Sequence, residues 1–157
     1  MRAVKFIGPS KVVLVDDAPK PQPGEGEVLV QIRYVALCGT NMGPYLGEGN
    51  WANLVDKSPP GWLGHENIGT IIESRAVGWE PGTLVLAHPE DYNGFAEFVR
   101  SKAKGLARLP ANPPDLPTLI VAQPLATVLR ALARTGPVIN QRCAILGQGP
   151  IDRKSVV

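Results

Sequence analysis

GEVLVQIRYVALCGTN, residues Gly26–Asn41, is the stretch on which the fold turns. Within it Val28, Val30, Ile32 and Tyr34 recur at every second position, with Gln31 and Arg33 between them. Successive side chains of a strand point to opposite faces, so this alternation predicts a half-buried strand over Val28–Val35 with Tyr34 on its inner face. The strand then runs into Cys38-Gly39-Thr40-Asn41, a thiol on a glycine-containing turn. Similar β-type runs recur at Ala3–Ile7, Lys11–Val15, Ile68–Glu73, Leu84–Ala87 and Phe95–Val99. The 17 glycines and 16 prolines are spread as punctuation between such runs, which suits many short strands joined by tight turns. In Glu80-Pro81-Gly82-Thr83, proline and glycine occupy the two central positions of a type II turn, where glycine supplies the positive φ. The first hundred or so residues therefore read as mainly β, an irregular and mostly antiparallel barrel.

The pattern changes after Pro110. Leu125, Val128, Leu129 and Leu132 follow the i, i+3, i+4, i+7 stripe of an amphipathic helix. Pro124 sits where a first-turn proline is tolerated, and Gly136-Pro137 supplies the stop. Cys143–Leu146 then reads as a short apolar strand running into Gly147-Gln148-Gly149, the way a dinucleotide-binding βαβ unit begins. The third glycine of the G-x-G-x-x-G pattern is Asp152, and the sequence after it has no helical stripe. These features predict a nucleotide-binding domain cut off just after it starts, with Gly147 and Gly149 as its trace. The expected organisation is a mainly β domain over 1–123, a connecting helix and linker over 124–141, and the start of a second domain over 142–157.

Sixteen basic against 14 acidic residues give a net charge of +2, with no basic cluster interleaved with aromatics, so nucleic acid is not an expected partner. The apolar runs are only a few residues long, too short for a bilayer, and MRAVKFIG lacks the apolar core of a signal peptide. Two cysteines without a secretory context favour free thiols and a cytoplasmic setting. An unpaired apolar strand at 143–146 also predicts association into a homo-oligomer.

Cysteine, histidine and carboxylates are the usual zinc ligands, and a catalytic zinc keeps one position open. Cys38 and the word Gly64-His65-Glu66 are candidates on those grounds, set against a reading as a buried thiol and a hydrogen-bonded core imidazole. His88 reads as a loop histidine beside Pro89, Cys143 as a strand-core residue, and Trp51 and Trp62 as either cleft or packing residues. The words GEVLVQIRYVALCGTN, GHENIGTIIE, PGTLVLAHP, GFAEFV, QPLATVLRAL and CAILGQGPI, in this order, resemble the zinc-dependent medium-chain alcohol and polyol dehydrogenases, including sorbitol- and threonine-dehydrogenase-like members.

That resemblance implies a GroES-like catalytic domain followed by a Rossmann domain that binds NAD(P). It implies Cys38, His65 and Glu66 as zinc ligands or near-ligands and Thr40 as the hydroxyl that relays a proton from the substrate alcohol. It puts Gln123 where polyol-dehydrogenase-like members carry a ligand glutamate, and Gly147 and Gly149 at the cofactor pyrophosphate. The departures are specific. Gln123 is a neutral amide in place of a carboxylate, and Asn41 stands where an aspartate usually orients the ligand histidine. Gly43 stands where many members have a relay histidine, and Ala87–Asn93 lacks the cysteines of a structural zinc lobe. The implied activity is a zinc- and NAD(P)-dependent oxidation of a small alcohol or polyol, with this chain expected to be silent by itself. A zinc-free reductase of the quinone-reductase type and a non-enzymatic GroES-like binding or assembly module are the alternatives.

Overall fold

The computed structural model describes residues 1–51 and 57–136, and beyond them 140, 142, 144, 146, 147, 149 and 151. Two compact units divide the chain, Met1–Ile120 and Val121–Val157. The first is mainly β. A hairpin of β1 (Ala3–Gly8) and β2 (Lys11–Val15) forms a two-stranded sheet. A five-stranded antiparallel sheet follows, built from β3 (Glu27–Ala36), β4 (Glu66–Ser74), β5 (Leu84–Ala87), β6 (Phe98–Lys102) and β7 (Leu106–Arg108). Its order is β6-β3-β4-β5-β7, which puts the long β3 and β4 at the centre. This is the mainly β, antiparallel architecture that the recurring runs predict, in keeping with the GroES-like fold that the resemblance implies.

Alternation explains the core. Val30 lies opposite Val99 of β6 and Ile71 of β4, and these three side chains, with Val28 and Val85, are completely buried. Aliphatic side chains of this size each contribute about 1.5–3 kcal/mol on full burial. The alternation does not persist along β3. Its register against β4 shifts between Leu29 and Val30 and again between Ile32 and Tyr34. An extra residue in one strand turns every later side chain to the opposite face. Tyr34, expected inside, is therefore 42% exposed.

The Glu80–Thr83 turn forms as its residues require: Gly82 has a φ of 89° and Thr83 N–H bonds the Glu80 carbonyl at 3.2 Å. The strand expected at Phe95–Val99 is found three residues later, at Phe98–Lys102. Phe95 and Ala96 serve instead as packing residues. Ala96 makes a lone bridge to Ala3, and Phe95 joins Phe6 in a small core with Val4, Tyr45 and Trp62 packed around it. Trp62 meets Phe6 edge to face at 6.3 Å, so it is a packing residue. Between β3 and β4 lies a short helix, α1 (Met42–Leu46), capped by Gly47 in the left-handed conformation.

In the second unit, α2 (Ala122–Thr135) covers the stripe read from the sequence, with Pro124 in its first turn and Gly136 beyond its end. The strand expected at Cys143–Leu146, the Asp152 position and the Trp51 side chain fall wholly or partly outside the described residues. No helix among the described residues is long and apolar enough to cross a membrane.

Candidate metal centre

Three segments meet at one rim of the five-stranded sheet. The end of β3 leads through Leu37 into Cys38 and a single 3-10 turn, Gly39–Asn41. The start of β4 carries Glu66, with His65 immediately before it. A loop from the end of β5 carries His88 and Tyr92. Antiparallel pairing brings the first two together, because Ala36 at the end of β3 lies opposite Glu66 at the start of β4. The separation of 27 positions from Cys38 to His65 is thus crossed by register.

One ligand atom each from Cys38, His65 and Glu66 lie within 4.8 Å of one another. Glu66 is buried, whereas Cys38 and His65 are half-buried. A thiol, an imidazole and a carboxylate converging in this way form a donor set that suits zinc. A hydrogen-bond network holds them. The buried Asn41 side chain accepts from Cys38 N–H at 2.8 Å and donates to the Leu63 carbonyl at 2.9 Å. The same carbonyl lies 3.0 Å from His65 Nδ1. A carbonyl oxygen only accepts, so Nδ1 carries the proton and Nε2 presents its lone pair. Thr40 Oγ1, on an exposed residue, stands 3.4 Å from that Nε2. Asn41, read from the sequence as a lost aspartate, here ties the cysteine turn to the histidine segment. Its amide N–H meets the Leu63 oxygen, where a carboxylate would set two acceptors face to face.

Gly64 shows how closely the segments approach: a Cβ at this position would lie 2.4 Å from Phe95 N and 2.6 Å from the Gly94 carbonyl carbon. Gly94 N–H bonds the Gly64 carbonyl at 3.0 Å, so the loop after β5 is stitched directly to the residue before His65.

Sequence reading missed two neighbours. His88, taken for a plain loop histidine, has its ring centre 6.4 Å from that of His65. Tyr92 lies 6.2 Å from His65 and stands edge-on to His88 at 4.9 Å. Burial, and then the proximity of His65, hold the His88 imidazole below its ordinary pKa. The available signal was position, a histidine directly following a strand end, but proximity across the sheet is not written in the local word. Gln123 sits in α2, in the second unit, and Gly147 there has a φ of 129°.

The fold agrees with known proteins. The family model of the alcohol dehydrogenase GroES-like domain matches residues 24–111. The chain belongs to that family. A zinc-type alcohol dehydrogenase-like protein from Haemophilus influenzae is 28% identical over 180 residues, covering 96% of this chain and 51% of its own length. Sorbitol dehydrogenase from Macaca fascicularis is 29% identical over 178 residues, covering 96% of this chain and 49% of its own. A solved Escherichia coli oxidoreductase/dehydrogenase of unknown specificity superposes with a TM-score of 0.75 at 23% identity, over 99% of this chain and 53% of that one. The chain spans about half the length of the curated relatives it matches. It is thus a GroES-like domain of the medium-chain dehydrogenase family.

Proposed function

We propose that Cys38, His65 and Glu66 hold a zinc ion, and that this domain is the alcohol-binding part of a zinc-dependent alcohol or polyol oxidoreductase that uses NAD(P). The observation that carries the reading is the convergence of the three donor atoms within 4.8 Å. Zinc in such a set supplies Lewis acidity, which lowers the pKa of an alcohol oxygen.

The residues around the trio have distinct duties. Asn41 orients the cysteine turn through its backbone N–H and braces the Leu63 carbonyl. That carbonyl fixes the His65 tautomer, leaving Nε2 as donor to the metal. The exposed Thr40 hydroxyl, beside Nε2, is the group that takes the substrate proton and passes it to solvent. Gln123 is the candidate fourth protein contact, an amide oxygen in place of an anion. Gly147 and Gly149 are the candidates for the pyrophosphate of NAD(P).

The reading is tested by titrating the purified chain with zinc. Cys38→Ser and His65→Ala are each expected to weaken uptake strongly while the protein stays folded by circular dichroism. Undiminished zinc binding by the Cys38→Ser/His65→Ala double variant would move the metal elsewhere and overturn the assignment.

A further inference from the structure

The loop from His88 to Gly94 is braced more firmly than its exposure calls for. His88 N–H bonds the Gly105 carbonyl and Ser101 Oγ donates to the His88 carbonyl, each at 2.8 Å. Glu90 N–H reaches the Arg100 carbonyl at 2.9 Å, and Arg100 and Lys102 of β6 pair with Asp91 and Glu90. Gly64 and Asn93 form a bridge on the far side. At the centre of this frame Tyr92 adopts a φ of 53°, a left-handed setting uncommon for residues other than glycine and unusual for a bulky one. Its ring stands edge-on to both His88, at 4.9 Å, and His65, at 6.2 Å, yet the residue remains 47% exposed. A tyrosine serving only to fill space would be buried. This one is held in a strained backbone setting with much of its surface open to solvent beside the ligand trio, and strained backbone of this kind concentrates at ligand clamps.

We propose that Tyr92, seated against His88, is a specificity-determining residue that reads a second hydroxyl on the substrate. This rests on the reading that the trio holds the metal to which the first hydroxyl is bound. Phenol and imidazole together offer a hydrogen-bond donor and an acceptor a short distance from His65, and the Thr40 hydroxyl, 3.4 Å from His65 Nε2, adds a third polar group. A wall of this chemistry favours a substrate with a hydroxyl beyond the reacting carbon, a diol or polyol, over a simple primary alcohol.

The test uses the full chain loaded with cobalt(II), whose visible absorption reports both metal binding by the thiolate and arrival of an alcohol. Propane-1,2-diol and propan-1-ol are the probes. The diol is expected to bind about tenfold more tightly than propan-1-ol, the size of one hydrogen bond's net contribution. In Tyr92→Phe that ratio falls to about one, with propan-1-ol affinity and the spectrum of the ligand-free protein unchanged. Tyr92→Gly, which suits the positive φ, should lose the same discrimination. A normal cobalt spectrum with undiminished diol preference in Tyr92→Phe removes the assignment alone. Loss of the cobalt band in Tyr92→Phe makes Tyr92 a structural residue and also overturns it. A wild-type chain that takes up no cobalt removes the metal reading, and the Tyr92 assignment with it.

Discussion

The centre of the five-stranded sheet and the rim that carries Cys38, His65 and Glu66 lie a few residues apart along β3 and β4, but they are held by opposite means. At the centre, Val28, Val30, Ile71, Val85 and Val99 are completely buried and nothing polar is asked of their side chains. At the rim, buried polar side chains (Asn41 and Glu66) stand beside the half-buried Cys38 and His65, and order comes from hydrogen bonds to backbone and from chain segments in close contact. Asn41 ties two segments together, and Gly64 leaves no space for a Cβ. The centre tolerates exchange among aliphatic residues of similar volume. The rim depends on particular atoms in particular places, so mutations there should separate metal binding from stability.

The largest expected effect lies at the centre. Ile71→Ala should lower the unfolding free energy by about 2–5 kcal/mol, measured by urea denaturation. If the contrast is right, enough folded protein remains in mild conditions to bind zinc with nearly normal affinity. An equal collapse of both would mean that centre and rim are one unit. Asn41→Ala should show the reverse pattern. It leaves the Cys38 N–H and part of the Leu63 carbonyl's bonding unmet, at a cost of about 1–3 kcal/mol. Zinc affinity should nevertheless fall by about 10–100-fold, as for other groups that orient ligands. A loss of stability with no change in zinc affinity would demote Asn41 to a packing residue. The smallest effect is expected from Gln123→Glu, which restores a carboxylate in the second unit. Zinc binding should tighten modestly by calorimetry, and an unchanged affinity would place Gln123 outside the metal's reach.

Much of the centre was legible because burial on one face writes itself into alternation. Leu84–Ala87 is a strand over the residues read from the sequence. Tyr34 was misassigned because the register shift beyond Ile32 depends on the partner strand, which the alternation of β3 alone does not encode. Phe95 was read into a strand because aromatic residues suit strands, whereas tertiary packing against Phe6 claimed it first. The five residues of α1 include Gly43 and Pro44 and are too few for a helical stripe, so nothing local announced them. At the rim, the Cys-Gly-Thr-Asn and Gly-His-Glu words could be read because each is a compact local arrangement. His88 and Tyr92 could not, since their relation to His65 arises only once β4 pairs with β5.

The strand order also sets the tempo of assembly. β6 pairs with β3 so that Glu27 lies opposite Lys102, closing a loop 75 residues long. Pairings so distant in sequence form slowly, since the entropy of closure is lost before the contacts are gained. The loop bearing His88 and Tyr92 is anchored to β6 through Arg100, Ser101 and Lys102. Its full frame therefore waits on that late closure, whereas Cys38 and Glu66 are brought together by the β3–β4 pairing alone. During refolding, the capacity to bind metal should thus emerge before the capacity to choose a ligand, an order that stopped-flow mixing with cobalt and a diol can resolve.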